Sequence, residues 1–337
     1  MERAATCTFT GHRENKLPWR GDETDARCLR LKQRIFDAVE AVYHSGVRHY
    51  ICGMANGCDL YFAEAVLALR AERPDVTLEA AIPCEGQTAR WTAAQRRRYD
   101  AVAADMQDPA SLRGLCEGAD LVISTVGLTK ASAEVGCYDV DYQGNMNLLE
   151  EARRAGVKQF AYVSVLKADG NPSVPMLDAK AKFEEELKKS GLNWVIFRPS
   201  GYFYDIAKVF MPMIEKGKVT LLGSGAVHCN VVDTPDFARF IVDHMCDNGK
   251  VYNVGGKETW SYEELARMFF AAAGKEPKIS RAPAALFDVL AWVNRKKKNG
   301  KEAIIRFSKW TLTEEMVGDT VVGDASFAEY IKNCYKK

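Results

Sequence analysis

Short apolar runs alternate with amphipathic stripes along the first two thirds of this chain. Residues 6–10, 49–52, 77–82, 121–126, 159–165 and 193–197 are apolar runs of strand length. Between them, apolar residues recur at helical spacing, as at Leu29, Leu31, Ile35, Val39 and Val42. The pattern predicts helices over Arg27–Ser45, Asp59–Glu72, 138–155 and Leu177–Ser190, with Gly46, Gly156 and Gly191 as stops. Gln87–Tyr99 reads as an arginine-rich helix and 109–118 as a short one, while 100–106 fits a helix or a strand. Strand–helix alternation with short turns predicts an α/β fold, a Rossmann-like, doubly wound, mostly parallel sheet. Residues 258–337 predict a small helical C-terminal subdomain.

Composition narrows the class. The chain has 337 residues, 47% hydrophobic, with a net charge of +1. That balance gives no reason to expect nucleic acid as a partner. No apolar run reaches the roughly 20 residues of a membrane span, and no apolar signal core follows Met1. The ten cysteines form no CxxC pair and no ligand spacing with histidine. No metal site is expected, and buried reduced thiols in the cytoplasm are the expectation.

In parallel sheets ligands bind where strand ends meet helix N-termini. Two such turns stand near the start: Thr10-Gly11-His12-Arg13, and Gly53 to Asp59 including Asn56 and Gly57. Glycines there let backbone N–H groups approach a phosphate, and Arg13 adds charge. The strings CTFTGHRENKLPW, GMANGCDLYFAEAVL and AAIPCEGQTARW, over about residues 6–100, resemble the YpsA-like group of the SLOG superfamily. The resemblance implies a Rossmann-like fold and a nucleotide-type ligand. It places Thr10, Gly11, His12, Arg13, Gly53, Asn56, Gly57, Asp59 and Glu64 on the ligand side. Trp19 and Trp91 would flank the pocket or simply pack.

From about residue 101 the strings DPASLRGLCEGADLVISTVG, VDYQGNMNLLEEARRAGVKQFAYVS, DAKAKFEEELKKSGLNWVIFRPSGYF and NVVDTPDFARFIVD resemble the NmrA-like atypical short-chain dehydrogenases/reductases. That family binds NAD(P), and its members reduce small or apolar substrates or only sense the cofactor. The resemblance assigns Ser124, Thr125, Val126, Gly127, Ser164, Lys180, Pro199 and Gly201 to the cofactor, NADP(H) slightly ahead of NAD(H), with Lys180 also the catalytic candidate. Two departures stand out. The Gly-rich fingerprint GxxGxxG and the strands around it are absent. The tyrosine four residues before the lysine is Met176, the serine position is Val165 beside Ser164, and a helix position often held by Asn is Asp141.

The N-terminal piece stops after three strands, and the C-terminal piece lacks its first two or three. One composite sheet across segments 1–100 and 101–257, with 258–337 appended, accounts for both deficits; a rearranged, inactive chimera is the alternative. The composite would set TGHR opposite STVG. The apolar stretch Ala284–Val293 and the basic run Arg295 to Lys301 read first as a substrate-pocket lid, Trp292 and Trp310 lining the pocket, and second as a membrane-surface contact. His228 and Asn230 read as packed or surface residues. The function expected is NAD(P)- or nucleotide-binding of reductase descent, with a non-catalytic sensor of NADPH or an ADP-ribose-type ligand as rival. The sequence does not fix the oligomeric state.

Overall fold

The structure is a computed structural model describing residues 6–80, 91–92, 95–96, 99, 106–128 and 133–335. The end of the expected strand 77–82, most of the expected helix Gln87–Tyr99 and the ambiguous segment 100–105 lie outside the described residues. The chain divides into two compact units, Met1–Asp105 and Met106–Lys337.

In the first unit, β1 (Thr6–Phe9), β2 (His49–Cys52) and β3 (Thr77–Ala80) form a parallel sheet in that order. Helix α1 (Ala26–His44) connects β1 to β2, and α2 (Cys58–Glu72) connects β2 to β3. The Asp25 carboxylate starts α1 by accepting from the Arg27 backbone N–H at 2.7 Å. Gly46, at φ +104°, turns the chain out of it. The core joins Ile35 and Val39 of α1, Tyr50 and Cys52 of β2, and Leu60, Phe62, Val66 and Leu69 of α2. Its buried phenol is satisfied: Tyr50 OH donates to the Val39 carbonyl at 3.1 Å.

The second unit opens with the short helix α3 (Pro109–Leu112) and β4 (Leu121–Ser124). A π-helical turn over Tyr138–Gly144 runs into α4 (Asn145–Arg154), followed by β5 (Gln159–Val163), α5 (Pro175–Lys189) and β6 (Asn193–Pro199). Beyond lie α6 (Phe203–Glu215), β7 (Val219–Leu222), β8 (His228–Cys229), α7 (Thr234–His244) and β9 (Lys250–Gly255). The remainder is β10 (Trp260–Ser261), α8 (Tyr262–Ala272), β11 (Ile279–Ala282), α9 (Ala285–Lys297), α10 (Lys301–Thr313), β12 (Thr320–Val321) and α11 (Phe327–Tyr335).

The five-stranded sheet has the order β12-β9-β6-β5-β4 and is parallel throughout. Every residue of β5 is buried. Phe160, Tyr162 and Ile196 pack with Phe183 and Leu187 of α5, while Ala161, Val163, Val195 and Phe197 pack with Phe237 of α7. Burial on both faces explains why β5 and β6 read as unbroken apolar runs.

The single composite sheet is corrected: among the described residues β1–β3 and β4–β6 hydrogen-bond in separate sheets. Each sheet buries its own apolar residues, Leu17 to Val76 in the first unit and Cys116 to Ile196 against α4 and α5 in the second. Among the described residues β4 is the outer strand of its sheet, with Ile123 41% exposed. Among the described residues, 258–335 carry four helices, but they also return strands to the rest of the unit. β11 pairs with β7, and β12 adds to the sheet beside β9. Among the described residues no helix is long and apolar enough to cross a membrane.

Candidate functional site

In the second unit the carboxyl ends of β4, β5 and β6 bring together residues far apart in sequence. Lys180, on α5, sets its ammonium 2.9 Å from Asp141 Oδ1 and 3.5 Å from the Tyr162 hydroxyl. Asp141 is fully buried, and the Lys180 side chain is 11% exposed. Burial opposes the charge on Lys180. The Tyr162 and Asp141 groups oppose that effect, and the net result is a pKa above the ordinary lysine value. Burial pushes the Tyr162 phenol up to about 12, so it is neutral at pH 7 and acts as a dipole. Asp141 is therefore the charge that holds the ammonium.

The second oxygen of Asp141 accepts from the Leu128 backbone N–H at 3.1 Å. Gly127 lies against the same pair: a Cβ there would meet Asp141 Oδ1 and Lys180 Nζ, each at 3.0 Å. One carboxylate thus ties the loop after β4 to the lysine of α5. Asn145 makes a parallel tie. Ser124 Oγ donates to Asn145 Oδ1 at 2.5 Å, and Asn145 Nδ2 donates to the Asp141 carbonyl at 3.0 Å. The π-helical turn carrying Asp141 leads directly into Asn145, and such turns recur at functional sites.

A second buried ion pair orients α5. Glu184, one turn beyond Lys180, accepts from Arg198 Nε at 3.0 Å and Nη2 at 2.5 Å, and Arg198 Nη2 also reaches Asp169 at 3.0 Å. Both Arg198 and Glu184 are buried, and the arginine terminates β6 beside Pro199. Ser164, just past β5, has a buried hydroxyl with no hydrogen-bond partner. Gly201 takes φ +147°, and its carbonyl accepts from Val232 N at 2.9 Å. Thr125 is exposed and Val126 partly so. Met176 is buried at the start of α5, one turn before Lys180, and carries no acidic proton.

Sequence reasoning passed over Asn145, Tyr162 and the Arg198–Glu184 pair. A signal existed for Asn145, which is four residues beyond Asp141 and so on the same helix face. Asn230 is structural: its amide exchanges hydrogen bonds with the Gly318 backbone at 2.9 and 2.8 Å. His228 is a surface residue facing Glu315 at 3.3 Å. Trp292 and Trp310 do not share a pocket, since Trp310 is in the core and Trp292 is 59% exposed.

In the first unit the two Gly-bearing turns grip one another. Gly57, at φ +118°, packs so closely that a Cβ would lie 2.6 Å from Glu14 N and 2.7 Å from the His12 carbonyl. Gly11 leaves 2.4 Å between its would-be Cβ and that of Cys58. Both glycines have a packing reason that the sequence reading did not supply. Asp59 accepts from Gly11 N at 3.0 Å and from Ala55 N at 3.3 Å, and His12 O accepts from Cys58 N at 3.1 Å. The Asp59 carboxylate thus takes the N–H groups of the two turns, and the His12 carbonyl takes the first N–H of α2. Thr10, His12 and Arg13 are exposed beside it, and Gly53 and Asn56 are half-buried. Trp91 packs edge-on against Tyr99. All described cysteines are free, and burial raises the thiol pKa of Cys52, Cys116, Cys137 and Cys229.

This parallel sheet, with a lysine and a partnerless serine at its carboxyl edge, defines a Rossmann-like dinucleotide-binding class. The NAD(P)H-binding family matches residues 71–244, about half of the chain, and the chain belongs to it. Its similarity to photosystem II assembly factor Ycf39 of Cyanophora paradoxa is 26% identity over 189 residues, 55% of this chain and 58% of that protein. With the divinyl chlorophyllide a 8-vinyl-reductase of Zea mays it shares 29% identity over 214 residues, 57% and 51% of the two chains. The chain spans between about half and three fifths of these curated relatives. Among solved structures, an NADPH-dependent quinone oxidoreductase of Escherichia coli complexed with NADPH gives a TM-score of 0.53 at 19% identity, covering 94% and 98%. Triphenylmethane reductase of Citrobacter sp., complexed with NADP(H), gives 0.54 at 16%, also covering 94% and 98%. At such identities the likeness is one of fold.

Proposed function

We propose that the second unit binds NADP(H) at the carboxyl ends of β4, β5 and β6 and belongs to a protein of reductase descent that does not use a Tyr-Lys pair. The observation that carries this reading is the Lys180–Asp141 pair against Gly127, beside the unsatisfied Ser164 hydroxyl. These groups fit a dinucleotide. An ammonium with one N–H bond beyond those to Asp141 and Tyr162 serves a ribose hydroxyl, a serine without a partner serves a carboxamide or hydroxyl, and a loop without a Cβ at Gly127 allows close approach. Ser124 through Gly127, Pro199 and Gly201 would line the same edge. NADP(H) is favoured because both solved relatives above hold it.

When bound, a nicotinamide cofactor supplies or accepts a hydride. Lys180 would orient the ribose, Asp141 would keep Lys180 charged, and Arg198–Glu184 would fix the rotation of α5. Met176 cannot supply a proton to a carbonyl oxygen. An acceptor whose reduced form is a stabilised anion, such as a quinone, takes its proton from water and needs no such donor. Small apolar acceptors of that class are the proposed substrates.

A second reading, binding without turnover, is favoured by the absent Gly-rich fingerprint and by Met176. NADPH oxidation measured with quinones and with simple ketones separates the readings. Quinone-dependent oxidation supports the reductase; tight binding with neither acceptor turned over supports the sensor; ordinary ketone reduction insensitive to Lys180→Ala contradicts both.

For the first unit we propose the nucleotide-type ligand of the SLOG resemblance, met by Thr10, His12, Arg13 and Asn56. The turn N–H groups of Gly11 and Ala55 are taken by Asp59 and the Cys58 N–H by the His12 carbonyl, so side-chain cations rather than these N–H groups would hold a phosphate there. Free buried thiols accord with a cytoplasmic setting for both units.

A further inference from the structure

Helix α9 presents an apolar stripe to solvent. Leu286, Val289, Leu290 and Trp292 are 48%, 57%, 41% and 59% exposed, four large apolar residues within seven positions. Leu286, Val289, Leu290 and Val293 follow the i, i+3, i+4, i+7 spacing of one helical face. Ala291 is the one buried residue of the helix. Scattered apolar residues on a surface need no explanation, but a contiguous stripe does.

The helix is held at the outside of a hairpin. α9 packs on α10, and Lys309 of α10 binds Asp288 at 2.7 Å. Trp310 of α10 is buried in the core of the unit, anchoring the inner helix. The outer helix therefore keeps its position while its stripe stays uncovered.

The charge around the stripe is one-sided. Arg295, Lys296, Lys297, Lys298 and Lys301 follow it within seven positions, and among the described residues none is in an ion pair. The neighbouring acids are spoken for: Asp288 binds Lys309, and Glu302 binds Arg306 at 2.9 Å. With a net charge of only +1 for the whole chain, this is a local concentration. Lys296 and Lys297 lie one turn beyond Val293 and two beyond Leu290, with Lys296 over the Trp292 ring at 5.8 Å. An apolar stripe ending in basic residues, with a tryptophan at the boundary, matches the requirements of a helix lying in a bilayer interface.

We propose that α9 docks the protein reversibly on an anionic lipid surface, the stripe entering the headgroup–acyl boundary and the basic run meeting lipid phosphates. Charge complementarity selects this occupant: an apolar substrate or an apolar protein groove gives no use to five unpaired cations. The inference is independent of the cofactor reading, because none of these residues belongs to the Lys180 site.

The test is sedimentation of the full chain with vesicles of phosphatidylcholine alone and of phosphatidylcholine with phosphatidylglycerol, with tryptophan emission recorded. The expected result is binding to the anionic vesicles, reversal by added salt, and a blue shift lost in Trp292→Phe. Lys296→Glu with Lys297→Glu should weaken partitioning at least about tenfold. Val289→Glu with Leu290→Glu, both exposed positions, should abolish it while leaving circular dichroism and NADPH affinity as in the parent. No binding to anionic vesicles, equal binding to both vesicle types, or binding indifferent to these variants would overturn the proposal. So would loss of a dimer in the Val289/Leu290 variant without any vesicle binding by the parent, since a second copy would then be the occupant.

Discussion

Asp141 carries more of the candidate site than its neighbours. It holds Lys180 with one oxygen and the loop after β4 with the other. The raised pKa of Lys180 means that this pairing stabilises the fold below the ordinary lysine pKa and is lost only as pH rises through the raised value. In Asp141→Asn the burial remains and the carboxylate is gone, so the lysine pKa falls. NADPH affinity measured between about pH 6 and pH 9 should be flat in the parent and should decline with rising pH in the variant. A flat profile in both would show that Lys180 does not bind the cofactor through its charge. Ser164→Ala makes a different demand. Removing a buried hydroxyl that has no partner should leave thermal stability unchanged or slightly higher, while cofactor affinity drops roughly fivefold, on the order of 1 kcal/mol. A stability loss with unchanged affinity would assign Ser164 to packing. Gly57→Val sets a side chain against the Glu14 and His12 backbone at a positive φ, and should lower stability by at least about 2 kcal/mol in denaturant unfolding.

At the scale of elements, the sequence made plain what its periodicity encodes. β5 and β6 are buried on both faces and show as apolar runs, and α5 shows as a stripe from Leu177 to Leu187. The π-helical turn at Tyr138–Gly144 was not visible, because one extra residue per turn barely alters the pattern of apolar positions. β12 was not visible because it is two residues long and owes its existence to the β9 edge. The grip of Gly57 on the His12–Glu14 turn depends on residues more than forty positions apart. Lys180 was legible through its motif, whereas its partner Tyr162, on a strand, and the Arg198–Glu184 clamp needed the packed sheet. Met176→Tyr tests whether that clamp presents α5 as a working reductase helix. With cofactor bound, restoring a phenol four residues before Lys180 should raise ketone reduction, by up to the roughly 10²–10⁴-fold that general acid catalysis supplies. No gain, with the cofactor still bound, would place the substrate elsewhere.

At the scale of the molecule, the chain comprises two compact units with separate hydrophobic clusters. All residues proposed to meet NADP(H), from Ser124 to Gly201, lie in the second. The Gly-rich fingerprint that ordinarily grips the pyrophosphate is absent from the chain, so the carboxyl edge of β4–β6 must suffice to bind the cofactor. Calorimetric titration of the full chain with NADPH tests this directly, beside the Lys180→Met/Asp141→Asn double variant, which keeps the buried site neutral and filled. The expected result is saturable binding by the parent and at least about a tenfold loss in the double variant, on the order of 1.4 kcal/mol. Absence of binding by the parent, or equal affinity in the folded double variant, would contradict it.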